Sequence, residues 1–465
     1  MTGIPDPVGH VEMLTTIHPT SASSHARGRP TTIALHGLDL FSGPVHISIH
    51  RFYRRPQTDL DVVRRLKSSL ARALGLYPPV AGTVRADGTG KPYIDMRVEN
   101  RLGTPFLTAT KDTPFAGDTD DLSPRPAVFL PPPASALAVK VTQFSCGTVA
   151  VAASMHHQVT DLRGFVDFLE VWAQIARGEI PDCSKIPDDW SHTPGRFFAA
   201  ATSSDVSMPT PPPPFAVLPA PLDALPSLPP SAITRWKFTP DAVARLKCDL
   251  SPSHSAMHGL WISSGDALCA LLWGAVARAR DTANVSRQQV SGDDQTEVLA
   301  LAADGRGRAP QGDIGGRYFG NLNALCAAKA PRLDLLSATS GSASRVALGI
   351  RNALNVQLAP EAVASKISFF EDPANTEPPG RIVFAADVVG TNWCQAHLES
   401  TKFDFGWGKP FAATSGGGPL PAGFFRLLQG VDSGDITVTL TIEEEAAHAL
   451  KRDVLLNQYA DLVSG

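Results

Sequence analysis

The residues best placed to do chemistry lie in Met155-His156-His157-Gln158-Val159-Thr160-Asp161, an H-x-x-x-D pattern between a strand-like run and an amphipathic run. A neutral imidazole has an unperturbed pKa of about 6.5, so a histidine aimed into a cleft from a strand end can take up a proton at cellular pH and return it. His157 is therefore the candidate general base. Three uses are open to Asp161: it can orient the imidazole as the acid of a triad does, fold back onto an arginine and fix the local backbone, or cap the helix that follows. The pattern fixes only two positions and arises by chance in long chains. A satisfied core histidine with a helix-capping aspartate is the competing reading. A metal site made of His156, His157 and Asp161 is opposed by geometry, because adjacent residues of an extended chain point to opposite faces; no metal is expected.

A second signal is Asp404-Phe405-Gly406-Trp407-Gly408-Lys409-Pro410. Two glycines flanking a tryptophan suggest a tight backbone excursion with an aromatic anchor. Asp-Phe-Gly also occurs in protein kinases, but the chain lacks a V-A-I-K strand and an H-R-D loop, and it has no G-x-S-x-G nucleophile elbow. The lone histidines His36, His192 and His397 receive no functional role.

The elements that must position these residues follow from periodicity. Leu60 to Leu74 has helical spacing and stops before Tyr77-Pro78-Pro79, where the prolines end it. Ala136 to Phe144 and Thr148 to Met155 read as a strand pair turning at Gly147. Gly164 to Arg177 is a strong amphipathic helix, and Ser264 to Arg280 a more apolar, buried one. Asp435 to Ile442 alternates as a half-buried strand, followed by a helix over Glu443 to Leu450. The segment Pro124 to Pro133 reads as a loop. Strands and helices alternate irregularly with no internal repeat, which gives an α/β class with mixed sheets.

A chain of 465 residues favours two or three domains. The proline-rich run Met208 to Pro230 excludes helix and inner strand and reads as an extended linker. The expected organisation is an N-terminal domain over residues 1–205, a linker or crossover over 206–232 and a C-terminal domain over 233–465. Hydrophobic residues at 43% and charged residues at 18% suit a large core. With 41 basic against 45 acidic side chains, the net charge is −4, so the basic excess of a nucleic-acid binder is missing. A small anionic cofactor stays compatible. The six cysteines are scattered without a C-x-x-C pair, so neither a zinc cage nor a disulfide framework is expected, and the usage fits a reducing compartment. Cys146 and Cys269 lie in apolar runs and are expected in the core. The N-terminus has no signal-peptide pattern and no apolar run is long enough to span a bilayer, so a cytoplasmic protein without membrane insertion is expected.

Taken together, the motifs resemble the BAHD acyltransferase family of plants and fungi. His157-x-x-x-Asp161 and Asp404-Phe-Gly-Trp-Gly408 carry the resemblance. Further segments match in order: Tyr77-Pro78-Pro79-Val80-Ala81-Gly82, Phe144-Ser145-Cys146-Gly147, Ser264-Gly265-Asp266-Ala267-Leu268, Asp304-Gly305-Arg306, Tyr318-Phe319-Gly320-Asn321 and Thr391-Asn392-Trp393. High proline and alanine content resembles the fungal branch more than the plant one. One departure stands out, since the family has glycine after the motif aspartate whereas this chain has Leu162, with Gly164 two residues late.

The resemblance implies two chloramphenicol-acetyltransferase-like domains with a channel between them, and a monomer that suffices for activity. It implies that His157 deprotonates the hydroxyl or amine of a small secondary metabolite as that group attacks an acyl-CoA, acetyl-CoA by default. Thr391 is the candidate donor to the oxyanion, with Trp393 packed beside it. Asp161 would be structural and paired with Arg306. Asp404, Gly406, Trp407 and Gly408 would be scaffold near CoA, and Lys409 would either meet a CoA phosphate or sit solvated. Three rivals remain at this stage: a carrier-protein-dependent peptide-condensation domain, a family member repurposed for another reaction, and an inactive metabolite binder.

Overall fold

A computed structural model describes the chain except for residues 1–10, 21–29, 58–59, 118–120, 126, 128, 200–210, 220–228, 253–259, 286–294, 378–379 and 417–419. The chain divides into two compact units whose segments alternate along the sequence. One comprises Met1–Pro194, Ile314–Leu322 and Leu398–Gly418; the other comprises Gly195–Asp313, Asn323–His397 and Pro419–Gly465.

In the first unit, the strands are β1 (Val11–Ile17), β2 (Thr32–Ala34), β3 (His46–Tyr53), β4 (Thr83–Ala86), β5 (Pro92–Asp95), β6 (Thr104–Lys111), β7 (Ala134–Ser135), β8 (Leu137–Phe144), β9 (Val149–His156) and β16 (Ala412–Gly416). Six of them form a mixed sheet in the order β1-β6-β8-β9-β3-β16, and a small sheet runs β2-β5-β4-β7. The helices are α1 (Gly37–Ser42), α2 (Val62–Leu76) and α3 (Leu162–Arg177). The sequence-derived helix of α2, the β8–β9 hairpin and α3 are all present, with ends displaced by one or two residues. Gly147 turns the hairpin at φ +86°.

All eight positions of β9 are buried, so the sheet is covered on both faces. Strand alternation sends Tyr53 and Arg51 toward the α3 side and His46, Ser48, His50 and Phe52 to the other. On that other face His46 Nδ1 meets Ser48 Oγ at 3.0 Å, and its Nε2 meets the Ala127 carbonyl at 3.1 Å. Burial, helped by Arg125, lowers His46 to about 4; burial, helped by His46 and Lys140, does the same to His50. Burial and Arg125 take His156 to about 3.

The second unit contains β10 (Phe215–Val217), β11 (Ser231–Phe238), β12 (Thr296–Ala302), β13 (Cys326–Pro331), β14 (Ile382–Phe384), β15 (Val388–Asn392), β17 (Phe424–Gln429), β18 (Ile436–Glu443) and β19 (Asp461–Ser464). Seven of them form a sheet in the order β13-β12-β15-β17-β18-β11-β19, with β12, β15 and β17 parallel at its centre. Its helices are α4 (Pro240–Leu250), α5 (Ser264–Thr282), α6 (Arg332–Leu336), α7 (Ser340–Gln357), α8 (Pro360–Glu371), α9 (Pro373–Thr376) and α10 (Glu444–Lys451). The Ser264-Gly-Asp-Ala-Leu segment is the start of α5. Ser263 and Asp266 form a capping box there, and Arg351 holds Asp266 at 2.6 Å. One core joins α4, α5 and α7 to Leu299, Val388, Phe425, Leu427, Val438 and Leu440. The proline-rich run lies largely outside the described residues; its described part includes β10, paired with β14.

Cys269 is buried in α5 as expected, but Cys146 is exposed. The reason is position: Cys146 sits in the two-residue tip between β8 and β9, where a side chain leaves the sheet. Its Sγ donates to Thr148 Oγ1 and accepts from the Phe115 amide, which lowers the thiol to about 7. Among the described residues, no helix is long and apolar enough to cross a membrane.

Candidate active site

His157 follows β9 directly. Its amide donates to the Val45 carbonyl at 2.8 Å, so the residue leaves the sheet just before β3 begins on the neighbouring strand. The imidazole is half-buried, and its Nδ1 lies 3.1 Å from Asn321 Oδ1. The Asn321 side chain can be read from its other partners. Its Nδ2 donates to the His157 carbonyl at 2.7 Å and to Asp39 Oδ1 at 2.8 Å, so its Oδ1 is the acceptor. That oxygen also receives Ser42 Oγ at 3.1 Å. His157 Nδ1 therefore carries the proton, and Nε2 keeps its lone pair for a substrate. Burial lowers the pKa of His157, opposed by its own carbonyl, Asp161, Asn321 and Asp39. The ring is neutral at cellular pH, as a base must be.

Behind Asn321 stands Asp39, which is fully buried. Its Oδ1 also accepts the Asn321 amide at 2.8 Å, and its Oδ2 accepts the His36 amide at 2.9 Å and contacts His192 Nδ1 at 2.8 Å. Burial would raise this carboxyl, but His192, His36 and the Asn321 amide outweigh it and hold it low. A continuous polar line thus runs His157–Asn321–Asp39–His192 within one unit. The sequence gave none of its last three members a role. Asn321 sat in a recognised element without a chemical assignment. Asp39 lies 282 positions from its partner, and no local pattern announces it. His36 and His192, set aside as lone histidines, respectively accept the Leu38 amide at the start of α1 and hold Asp39.

Asp161 caps α3. Its Oδ1 accepts the amides of Arg163 and Gly164 at 3.1 and 3.2 Å, and its Oδ2 accepts the Leu322 amide at 2.9 Å. The aspartate thereby ties the helix start to the residue after Asn321. The glycine displaced to 164 has a steric cause. A Cβ there would lie 2.1 Å from Thr160 Oγ1 and 2.8 Å from the Phe319 carbonyl, so the close approach falls at 164 and Leu162 simply opens α3.

The Asp404–Gly408 loop is a separate construction in the same unit. Asp404 Oδ1 accepts the amides of Gly406, Trp407 and Gly408 at 2.6, 3.1 and 2.9 Å, closing the loop on itself. Gly406 and Gly408 have φ of +106° and +115°, which other residues adopt only with strain. Phe405 is fully buried against Trp172 with ring centroids 4.8 Å apart, and Tyr53 donates to the Phe403 carbonyl at 2.9 Å. Arg177 donates to the Asp404 carbonyl. Lys409 follows, half-buried.

Thr391, Trp393 and Arg306 belong to the second unit. Thr391 lies on β15, in parallel register with Arg426 of β17. Trp393 is buried, its amide donating to the Leu427 carbonyl at 2.8 Å. Arg306 is fully buried, and its Nη1 meets Asp304 Oδ1 at 3.0 Å. No group of metal-ligating side chains occurs among the described residues.

The model of the Transferase family matches residues 11–456. The chain belongs to this family, the BAHD acyltransferases. It is an enzyme that transfers acyl groups. It is 26% identical over 439 residues to the hydroxycinnamoyl-CoA:5-hydroxyanthranilate N-hydroxycinnamoyltransferase of Avena sativa, covering 88% of this chain and 92% of the relative. Over 130 residues it is 36% identical to the taxadien-5-alpha-ol O-acetyltransferase of Taxus cuspidata, 26% of this chain and 29% of that one. The fold is that of the F. sporotrichioides TRI101 structure complexed with coenzyme A and T-2. The TM-score is 0.73 at 17% identity, over 94% of this chain and all of the other. BAHD members take acyl groups from CoA thioesters to hydroxyl or amine acceptors, and the mixed α/β architecture agrees with that fold.

Proposed function

We propose that the protein transfers an acyl group from acyl-CoA to a hydroxyl or amine of a small secondary metabolite, with His157 Nε2 as general base. The observation that carries this reading is the fixed tautomer of His157, set by an asparagine whose own orientation is dictated by Asp39. As the acceptor attacks the thioester carbonyl, its proton passes to Nε2. The C–S bond breaks when the tetrahedral intermediate collapses, and the proton leaves with the CoA thiolate. Thr391 is the proposed donor to the oxyanion. Trp393 supports it, Arg306 is the proposed partner of Asp161, and Lys409 is the proposed contact to a CoA phosphate. No covalent acyl-enzyme is needed.

The default donor is acetyl-CoA. The name of the full-length Avena relative makes a hydroxycinnamoyl-CoA the second donor to test. A fungal-type, monomeric, cytoplasmic enzyme completes the proposal.

The test is thiol release from a panel of acyl-CoAs with mass spectrometry of the products, for wild type and His157→Ala. The variant is expected to lose about 10²–10⁴ in kcat, the usual contribution of a general base, while melting as the wild type does. Undiminished turnover in His157→Ala would remove the proposal.

A further inference from the structure

The partly buried arginines of the second unit are matched to carboxylates. Arg278 meets Asp453 at 2.6 and 2.9 Å, Arg280 meets Glu443 at 3.1 and 2.9 Å, and Arg351 meets Asp266 at 2.8 and 2.6 Å. Arg426 is different. Its guanidinium carbon lies 4.3 Å from the centre of the Trp393 ring and 5.8 Å from that of Phe424. Among the described residues, it has neither a hydrogen-bond acceptor nor an ion-pair partner, and its Nε is buried. Burial pulls it down to about 10 with no carboxylate acting against the shift, so it stays charged at neutral pH.

Its place on the strand is as informative as its isolation. Phe425 and Leu427 point into the helix-covered core. Alternation therefore sends Arg426 to the opposite face, beside its register partner Thr391. On that face β18 presents Thr437, Thr439 and Thr441, which bring no charge. A stacked guanidinium is held flat and pre-organised, with its planar fork of donors still to be matched. Stacking on an aromatic ring returns only about 1–2 kcal/mol, less than a desolvated cation needs. Carboxylate and phosphate oxygens are the acceptors that fit such a fork.

We infer that Arg426 is an anion-recognition residue that takes a carboxylate or phosphate group of a substrate beside Thr391. The inference rests on the acyl-transfer reading only in calling the ligand a substrate. If the anion belongs to the acceptor, the enzyme prefers acceptors bearing a carboxylate next to the acylated hydroxyl or amine. If it belongs to the donor, Arg426 holds a phosphate of CoA.

Calorimetric titration of the full chain separates these sources. The probes are 5-hydroxyanthranilate, its methyl ester, CoA and 3′-dephospho-CoA, each against wild type, Arg426→Gln and Arg426→Lys. An acceptor source gives at least a tenfold preference for the carboxylate over its ester, abolished in Arg426→Gln and partly kept in Arg426→Lys. A donor source gives the same pattern for CoA over 3′-dephospho-CoA, or weakens both together in Arg426→Gln if the pyrophosphate is the group held. A role confined to packing on Trp393 would change the melting temperature and leave the isotherms alone. Indistinguishable isotherms for wild type and Arg426→Gln with all four probes overturn the inference. Because these measurements read binding, a failed His157 assignment would appear instead as turnover surviving in His157→Ala.

Discussion

Two regions of the first unit carry the most recognisable motifs, and they are built on opposite plans. Around His157 the polar groups are linked outward: imidazole to Asn321, Asn321 to Asp39, Asp39 to His192, across segments hundreds of residues apart. In the Asp404–Gly408 loop, the carboxylate turns inward and takes three amides of its own loop, while the aromatic side chains dock on Trp172 and Tyr53. The first arrangement leaves one atom, His157 Nε2, with an unspent lone pair. The second gives its aspartate's Oδ1 wholly to local backbone. An aspartate in a motif is thus no sign of catalysis by itself; what matters is whether the network around it ends on a group that can still react.

Substitutions should separate the two plans. Asn321→Ala removes the acceptor that fixes the tautomer and should lower kcat by about 10–10², with His157 itself intact, for want of orientation. The pH profile sharpens this. Because burial lowers His157, the acid limb of kcat/KM in the wild type should lie below about 6.5, the unperturbed value, since the base stays unprotonated further into acid. A limb above that value would contradict the buried, neutral ring. Asp404→Ala should do the reverse: a loss of about 2–3 kcal/mol in unfolding free energy from three stranded amides, with kcat per folded molecule nearly unchanged. Denaturant titration beside active-site-normalised kinetics decides it. Asp161→Ala should fall between the two regions. A lost cap costs about 1–2 kcal/mol, and release of the Leu322 amide should loosen Asn321, so a modest fall in kcat accompanies the lower melting temperature.

The smallest expected effect is on stability against pH. His46, His50 and His156 are depressed in the folded state. Between about 6.5 and the folded values the unfolded chain binds more protons, so stability falls as pH drops through that window and is insensitive to these groups above it. A melting temperature that stays level from pH 6.5 to 4 would show that the histidine-bearing face of β3 is hydrated.

The local parts of this molecule were legible in the sequence. Prolines 78 and 79 closed α2, Gly147 marked the hairpin, and the spacing of α3 and α5 announced helices with apolar faces. Of the site, His157 and the capping reading of Asp161 could be reached because both depend on a strand-to-helix junction written in consecutive residues. Asn321, Asp39 and His192 could not be assigned, because their roles exist only once three distant segments meet and the buried carboxylate must find donors. Arg426 was silent for a related reason: an arginine inside an alternating strand looks like any solvated residue until its neighbours are known. Cys146 shows the converse, where an apolar neighbourhood in sequence proved to be the tip of a hairpin.

The edge of the first sheet has a consequence for biosynthesis. Strand β16, residues 412–416, supplies the outer partner of β3, yet it leaves the ribosome after nine-tenths of the polypeptide has been made. Until then β3 presents unpaired amides and carbonyls along its length, a template for intermolecular pairing. A nascent chain or a fragment ending near residue 205 is exposed to that hazard, so expression of the amino-terminal half alone should yield aggregate, and supplying residues 398–418 in trans should relieve it.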